Sequence, residues 1–194
     1  MNVGEWVFKR ALTHPEALLL KEEDERSFRN REFNERVNRM AHAFQAWGVG
    51  CGERVSVLMA NTSEFLEIFF ACAKTGAIMV PLNFRLAVPE LTFILTDCTP
   101  RVFIYSGEFG DKVAQMKPAL PETIGYLRHG GAEGSDPLLT PAVASFPVTE
   151  PLPEREITLA DPLFIMYTSG TTGDPKGAIL THENVLFGSI NTVV

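Results

Sequence analysis

The feature that most constrains the fold is a repeated alternation between amphipathic segments and short apolar runs. Apolar residues in "NREFNERVNRMAHAFQAW" recur at helical spacing, and "RVSVLMAN" alternates as a strand does. The later runs "AIMVPL" and "RVFIYS" are almost continuously apolar, which is typical of strands covered on both faces. Strand–helix–strand repetition favours right-handed crossovers and parallel pairing. The sequence therefore predicts an α/β fold, with a mainly parallel sheet and helices on both faces.

The same pattern gives approximate positions for the strands. We predict core strands at residues 55–60, 77–82, 101–105 and 161–167, with a weaker one at 123–127. Near the N-terminus, "LLLKEEDERSF" places a charged turn between two apolar ends, which predicts a hairpin.

Capping residues predict where the helices begin and end. Asn30 is expected to cap the first long helix. The second helix should be capped by Asn61, Thr62 or Ser63 and should end at Gly76. Further helices are predicted from Pro89 to the residue before Pro100, more weakly at 111–120, and from a cap at Thr181 or His182.

The chain divides into three stretches by composition. Residues 1–128 form the α/β repeat region, and residues 158–194 supply a strand, a glycine-rich loop and the start of a helix. Between them, residues 129–157 are rich in Gly, Pro and Ala with little periodicity, which predicts a surface excursion.

Composition excludes several classes of protein. The net charge of -7 leaves no basic stripe for nucleic acid, and no apolar run approaches the ~18 residues of a transmembrane helix. Cys51, Cys72 and Cys98 are odd in number and lack paired spacing, which predicts reduced thiols and a cytoplasmic protein. The four histidines are scattered along the chain, so no zinc site is expected.

The stretch "MYTSGTTGDPKG" has the residue types of a phosphate-binding loop. Its glycines let backbone N–H groups approach an anion, its hydroxyls add neutral donors, and Lys176 adds a positive charge. It is not a Walker A loop, because Pro175 stands where the second glycine is required and Gly177 where Ser or Thr would bind magnesium. The Rossmann glycine pattern fails as well. A solvated turn between a strand and a helix is the alternative.

The ordered string "YTSGTTGDPKG" resembles the signature loop of the adenylate-forming superfamily, which contains acyl-CoA synthetases, luciferases and peptide-synthetase adenylation domains. Upstream, the region from "SFRNREF" to "KTGAIMVPLNFRL" resembles the N-terminal third of those enzymes. The likeness covers most of the chain and is poorest at residues 111–156.

The resemblance implies an enzyme that activates a small carboxylic acid with ATP and magnesium and then transfers the acyl group to coenzyme A. A fatty or aryl acid is the first choice. The residues carried over as contacts of the β- and γ-phosphates are Thr168, Ser169, Gly170, Thr171, Thr172, Gly173 and Lys176. Thr168 is also carried over as a magnesium ligand. Arg85, after a predicted strand, is a candidate for the phosphates of coenzyme A, with a solvated arginine or a surface salt bridge as the alternative.

The family's catalytic lysine lies in a C-terminal domain, and its magnesium-binding glutamate and ribose-binding aspartate lie downstream of the loop. None has a counterpart in this sequence, so no catalytic residue is assigned. The expectation is a truncated N-terminal domain, inactive without the missing remainder of its own chain. Two alternatives stay open: an amino-acid adenylation domain, and a non-catalytic nucleotide-binding module.

Overall fold

The computed structural model describes residues 2–122, 124–131, 134–168 and 174–193, with side chains as far as residue 191. The helices are α1 Glu5–Thr13, α2 Asn30–Ala46, α3 Ser63–Thr75, α4 Val88–Cys98, α5 Gly110–Met116, α6 Leu139–Val143 and α7 His182–Val193. The strands are β1 Leu18–Lys21, β2 Ser27–Arg29, β3 Arg54–Leu58, β4 Ile78–Pro81, β5 Val102–Ser106, β6 Gly125–His129, β7 Pro162–Thr168 and β8 Lys176–Thr181.

Six strands form one sheet in the order β6-β5-β3-β4-β7-β8. Every neighbouring pair is parallel except β7 and β8, which are antiparallel. The β1–β2 pair forms a separate antiparallel hairpin, as the sequence predicts. The expectation of a mainly parallel sheet is confirmed.

Helices cover both faces of this sheet. On one face, Val55, Val57 and Ile104 pack in a core with buried residues of α2 and α3. On the other face, Leu58 and Phe103 pack with residues of α4 and α5. Successive side chains of a strand point to opposite faces, so a strand that is apolar throughout supplies both cores. The predicted arrangement of helices on both faces is therefore confirmed.

The predicted helix ends are mostly correct, and one cap is wrong. Thr62 accepts a hydrogen bond from the Phe65 N–H at 3.3 Å, and α3 ends at Gly76 with φ of 76°. Asn30 does not cap α2, because Arg29 occupies the cap position without a side-chain bond. The Asn30 amide instead donates to the carbonyl of His14 at 2.7 Å, which ties the start of α2 to the end of α1.

Three elements of the structure have no counterpart in the sequence predictions: α1, β8 and α6, the last of which lies in the stretch predicted as a surface excursion. The first is α1, whose single buried residue, Val7, leaves little apolar periodicity to detect. The second is β8, whose residues are largely exposed and lie between a glycine-rich loop and a helix. Its position in the sheet depends on pairing with β7 and not on a buried apolar face.

Residues 129–157 contain α6 and are tied to α2 and α3 by a partly buried ion pair. The Lys74 ammonium donates to Glu150 at 2.6 Å and to the side-chain oxygens of Asn34 and Asn38 at 2.7 Å each. Burial lowers the pKa of Lys74, and the bond to Glu150 opposes that change. Pairing of this quality is what allows a charged amine to be buried. Among the described residues, no helix is long and apolar enough to cross a membrane.

Candidate functional site at the carboxyl edge of the sheet

The five parallel strands, β3 to β7, end at the same edge of the sheet. Ligands of open parallel sheets bind outside the carboxyl ends of the strands, where the connecting loops meet. Three connections start from neighbouring strands there: the start of α3 after β3, the turn at residues 83–87 after β4, and the glycine-rich loop after β7. The candidate site is therefore this edge around β4 and β7.

The glycine-rich loop connects the two strands of a hairpin. Ser169, Gly170, Thr171, Thr172 and Gly173 lie outside the described residues, so the structure gives only the two ends of the loop. At those ends Thr168 of β7 is paired with Lys176 of β8.

Thr168 and Lys176 are both exposed. Directly opposed residues of an antiparallel pair project from the same face, so the hydroxyl and the ammonium flank the loop on one side. Within the described part of the chain, neither side chain makes a hydrogen bond or an ion pair. A hydroxyl and a cation arranged in this way are available to an anion at this edge of the sheet.

The loop end of the hairpin is fixed to α4 by Tyr167. Its hydroxyl donates to the Asp97 carboxylate, and burial followed by this bond raises the pKa of Tyr167 above its usual range. A Cβ at Gly177, opposite Tyr167, would lie 2.6 Å from the Ile165 side chain and 3.2 Å from the Tyr167 ring, so a larger residue there would force these side chains to move. These contacts fix the two strand ends that flank the glycine-rich loop.

The other end of the hairpin is fixed by His182, the first residue of α7. Its ring is fully buried, and Nδ1 accepts the Val3 N–H at 3.2 Å. Burial lowers the pKa of His182 to about 4, a change that the Asp161 charge partly opposes. Thr181 caps α7, since its hydroxyl accepts the Asn184 N–H at 3.3 Å while the Asn184 side chain accepts the Thr181 N–H at 2.9 Å. Of the two predicted caps, Thr181 is correct.

Arg85 lies in the turn that follows β4, the strand next to β7. Its side chain is exposed, and the guanidinium carbon lies 5.9 Å from the centre of the Phe84 ring. It has no carboxylate partner in the described part of the chain, so the surface salt bridge considered for it is not observed there. The structure places Arg85 on the same edge of the sheet as Thr168 and Lys176.

The described residues offer magnesium one ligand. Thr168 supplies an exposed hydroxyl oxygen, and Mg²⁺ prefers oxygen ligands. Across the described ranges, no group of three or more His, Cys, Asp or Glu side chains could hold a metal ion. Thr168 therefore stays a single candidate ligand for magnesium, with no metal-binding cluster around it in the described ranges.

Sequence reasoning missed the residues that support the site. Asp97 is an ordinary exposed helix residue in sequence, and nothing local indicates its bond to Tyr167, 70 positions away. Lys112 likewise donates to the carbonyls of Phe84 and Leu86, on either side of Arg85. Neither contact has a sequence signal, because each joins elements that only the fold brings together.

A mainly parallel α/β sheet with a glycine- and hydroxyl-rich loop at its carboxyl edge is the architecture that this chain shares with the N-terminal domains of adenylate-forming enzymes. The chain belongs to the AMP-binding enzyme family, whose model matches residues 7–193.

Three relatives illustrate the match. The chain is 36% identical over 193 residues to a feruloyl-CoA synthase of Amycolatopsis, covering 100% of this chain and 36% of that protein. It is 39% identical over 154 residues to the long-chain-fatty-acid–CoA ligase FadD13 of Mycobacterium tuberculosis, and the match covers 79% of this chain and 29% of that protein. The solved structure of an anthranilate CoA ligase, AuaEII, with anthranoyl-AMP superposes with a TM-score of 0.86 at 28% identity, covering 94% of this chain and 35% of that chain. The chain thus spans about a third of the length of these relatives and matches their N-terminal part.

Proposed function

We propose that this chain supplies the phosphate-binding edge of an ATP-dependent acid–thiol ligase. In the first step a carboxylate oxygen attacks the α-phosphorus of ATP, the bond to the β-phosphate oxygen breaks, and an acyl-adenylate and pyrophosphate form. In the second step the sulfur of coenzyme A attacks the acyl carbon, the carbon–oxygen bond to AMP breaks, and a thioester forms. The family match and the three acyl-CoA ligase relatives support this assignment.

The observation that carries the proposal is the pairing of Thr168 with Lys176 at the mouth of the loop. Breaking the bond to the β-phosphate moves negative charge onto the departing pyrophosphate. An ammonium that is already positioned at the leaving group stabilises this charge with little reorganisation. In the proposal, Lys176 and residues 168–173 hold the β- and γ-phosphates. Magnesium, when bound with ATP, neutralises part of the phosphate charge, and Thr168 would supply one of its oxygen ligands.

The proposed substrate is a fatty or aryl carboxylic acid. One relative is named for a feruloyl group and another for long-chain fatty acids, and these chemistries differ in the acyl part alone. The acyl acceptor is coenzyme A, with Arg85 as the proposed contact to one of its phosphates. A cytoplasmic location belongs to the same proposal and is supported by three cysteines without paired spacing.

The test is ATP–pyrophosphate exchange, which reports the first step without coenzyme A. We expect the complete ligase carrying this sequence to exchange in the presence of ferulate or a long-chain fatty acid, and residues 1–194 alone not to exchange. Exchange driven by amino acids instead would identify an amino-acid adenylation domain. ATP binding without exchange by any acid would identify a non-catalytic nucleotide-binding module.

A further inference from the structure

The turn at residues 83–87 is held by a lysine from another part of the fold. Lys112, in α5, donates from Nζ to the carbonyl oxygen of Phe84 at 2.7 Å and to that of Leu86 at 3.0 Å. These two carbonyls flank Arg85 in the chain. One ammonium therefore fixes the backbone on both sides of Arg85.

Local hydrogen bonds hold the same turn from within. The Asn83 side-chain oxygen accepts the Arg85 N–H at 3.0 Å, and the Asn83 carbonyl accepts the Leu86 N–H at 3.0 Å. The Glu90 carboxylate accepts the Ala87 N–H at 2.8 Å. The peptide groups of the turn are thus engaged, while the Arg85 guanidinium remains outside this network.

The Arg85 side chain lies on an aromatic support. Its guanidinium is over the Phe84 ring, and Phe84 stacks on Phe109 with centroids 5.7 Å apart and ring planes 16° from parallel. Phe109 directly precedes α5, so the stack and the Lys112 bonds both link the turn to that helix region. An arginine supported in this way loses less conformational freedom when it binds an anion than an unsupported one does.

The two cations of this turn are not paired with carboxylates of the described residues, and the Glu90 carboxylate that bonds to the turn accepts a backbone N–H instead. In the described residues neither Arg85 nor Lys112 forms an ion pair, and Lys112 bonds only to neutral carbonyls. Two positive charges and the single negative charge of Glu90 therefore act on one exposed turn, within the ~8–10 Å over which salt leaves such charges effective, and the balance is positive. The turn favours an anion at the edge of the sheet that also carries Thr168 and Lys176.

We propose that Lys112 is a positioning residue that holds Arg85 in place for a phosphate monoester, the 3′-phosphate of coenzyme A. This inference rests on the proposed function and goes beyond it by assigning a role to a residue that does not touch the acceptor. Lys112 acts through the backbone of the turn, and its own nitrogen stays bound to the two carbonyls.

The experiment compares coenzyme A with dephospho-coenzyme A, which lacks the 3′-phosphate, as acceptors for the complete ligase. Arg85→Ala, Lys112→Met and the double variant are assayed for pyrophosphate exchange and for thioester formation. We expect Lys112→Met to raise the KM for coenzyme A about three- to tenfold, since a positioned charge-assisted contact is weakened but not deleted. Exchange and the KM for dephospho-coenzyme A should stay unchanged.

The double variant separates positioning from an independent contact. If Lys112 acts through Arg85, its loss adds nothing once Arg85 is gone, so the double variant should match Arg85→Ala. Lys9→Met, which removes an exposed lysine on α1, is the matched control and should leave both acceptors unaffected. If Lys112→Met lowers the melting temperature strongly, Lys112→Gln, which keeps a neutral donor for the carbonyls, replaces it and should show a smaller change of the same kind.

Each unfavourable result overturns a different statement. Equal increases in KM for both acceptors, or effects that add in the double variant, would refute the role of Lys112 in holding Arg85 for the 3′-phosphate. An unchanged KM for coenzyme A in Lys112→Met would refute it as well. Absence of pyrophosphate exchange in the unmodified ligase would instead refute the proposed function on which the inference rests.

Discussion

The central strands and the β7–β8 hairpin belong to one sheet but differ in how they are held. In β5 every residue is buried, and four of the five residues of β3 are buried. In β8 the first four residues are exposed, and in β7 only Leu163 is buried. The hairpin that carries the glycine-rich loop thus buries less apolar surface than the central strands do.

The hairpin is instead fixed by a few specific contacts along its length. Phe164 stacks on Phe69 of α3 with centroids 5.1 Å apart, Tyr167 bonds to Asp97, and His182 bonds to the N-terminal segment. Burial of large apolar area stabilises the central strands, whereas these contacts place the loop. Changes in the two regions should therefore affect different measurements.

The largest expected effect on stability comes from the central sheet. Phe103 of β5 is fully buried between strands and helices, so Phe103→Ala should lower the free energy of unfolding by about 3–5 kcal/mol. Met166→Ala, at a residue of β7 that is 40% exposed, is the matched change in the hairpin and should cost about 0.5–1 kcal/mol. Urea unfolding of both variants measures the difference. Similar losses in the free energy of unfolding would show that the central strands and the β7–β8 hairpin are stabilised in the same way.

The next effect is a loss of stability in acid through His182. Its pKa is about 4 in the folded chain, against about 6.5 when unfolded. Below pH 6.5 the unfolded state therefore binds more protons than the folded state. The stability that comes with the neutral, buried His182 ring is fully present above that pH and is lost as the pH falls toward 4. By linkage, about 2 kcal/mol should disappear between about pH 7.5 and pH 5. Unfolding of the unmodified chain and of His182→Gln across this range measures it.

His14→Gln provides the control for that titration, because His14 is exposed and remote from the hairpin. The His14 variant should keep the acid loss of the unmodified chain, and the His182 variant should lack most of it. If the His182 variant retains the full loss, then other groups cause it and the hairpin end is not pH-dependent.

A smaller effect is expected where the hairpin is tied to α4. Tyr167→Phe removes the hydrogen bond to Asp97, whose carboxylate is exposed and can be hydrated. The free energy of unfolding should therefore fall by only about 1 kcal/mol. Local opening should change more: hydrogen exchange at the amides of β8 should accelerate relative to those of β5. Tyr126→Phe is the control, since the Tyr126 hydroxyl has no partner in the described part of the chain. Uniform acceleration throughout the sheet would contradict a local role for Tyr167.

The smallest effect on stability should come with a large effect on activity. Lys176 is exposed and buries no apolar contact, so Lys176→Ala should change stability by less than about 0.5 kcal/mol. In the complete ligase it should lower kcat/KM for ATP roughly ten- to a hundredfold, the equivalent of about 1.5–3 kcal/mol of charge-assisted bonding. Lys176→Arg should restore only part of the lost activity, because a planar guanidinium does not replace a compact ammonium. Steady-state kinetics with ATP varied, together with thermal melting of the same variant, tests this prediction. If the Lys176→Ala variant melts much earlier but turns over ATP normally, then Lys176 has a structural role instead.

The sequence by itself determined the fold class and the family. Apolar periodicity and caps depend on neighbouring residues, so the core strands, the cap at Thr62 and the end of α3 at Gly76 could be predicted to within a few residues. The string "YTSGTTGDPKG" was specific enough to indicate the family. Where the local conformational preference of a segment agrees with its place in the folded protein, the sequence alone is enough to predict its secondary structure.

Only the tertiary structure decided how the site is supported. β8 has little apolar burial, so its place in the sheet follows from backbone pairing with β7 and not from its own pattern. Asn30 has a good capping side chain, but it is the first residue of α2, one position after the cap, and its amide nitrogen donates to the carbonyl of His14. The bonds from Tyr167 to Asp97 and from Lys112 to the turn around Arg85 join residues that are 26 to 70 positions apart. Hydrogen bonds over such separations depend on the final three-dimensional arrangement, which local composition does not encode.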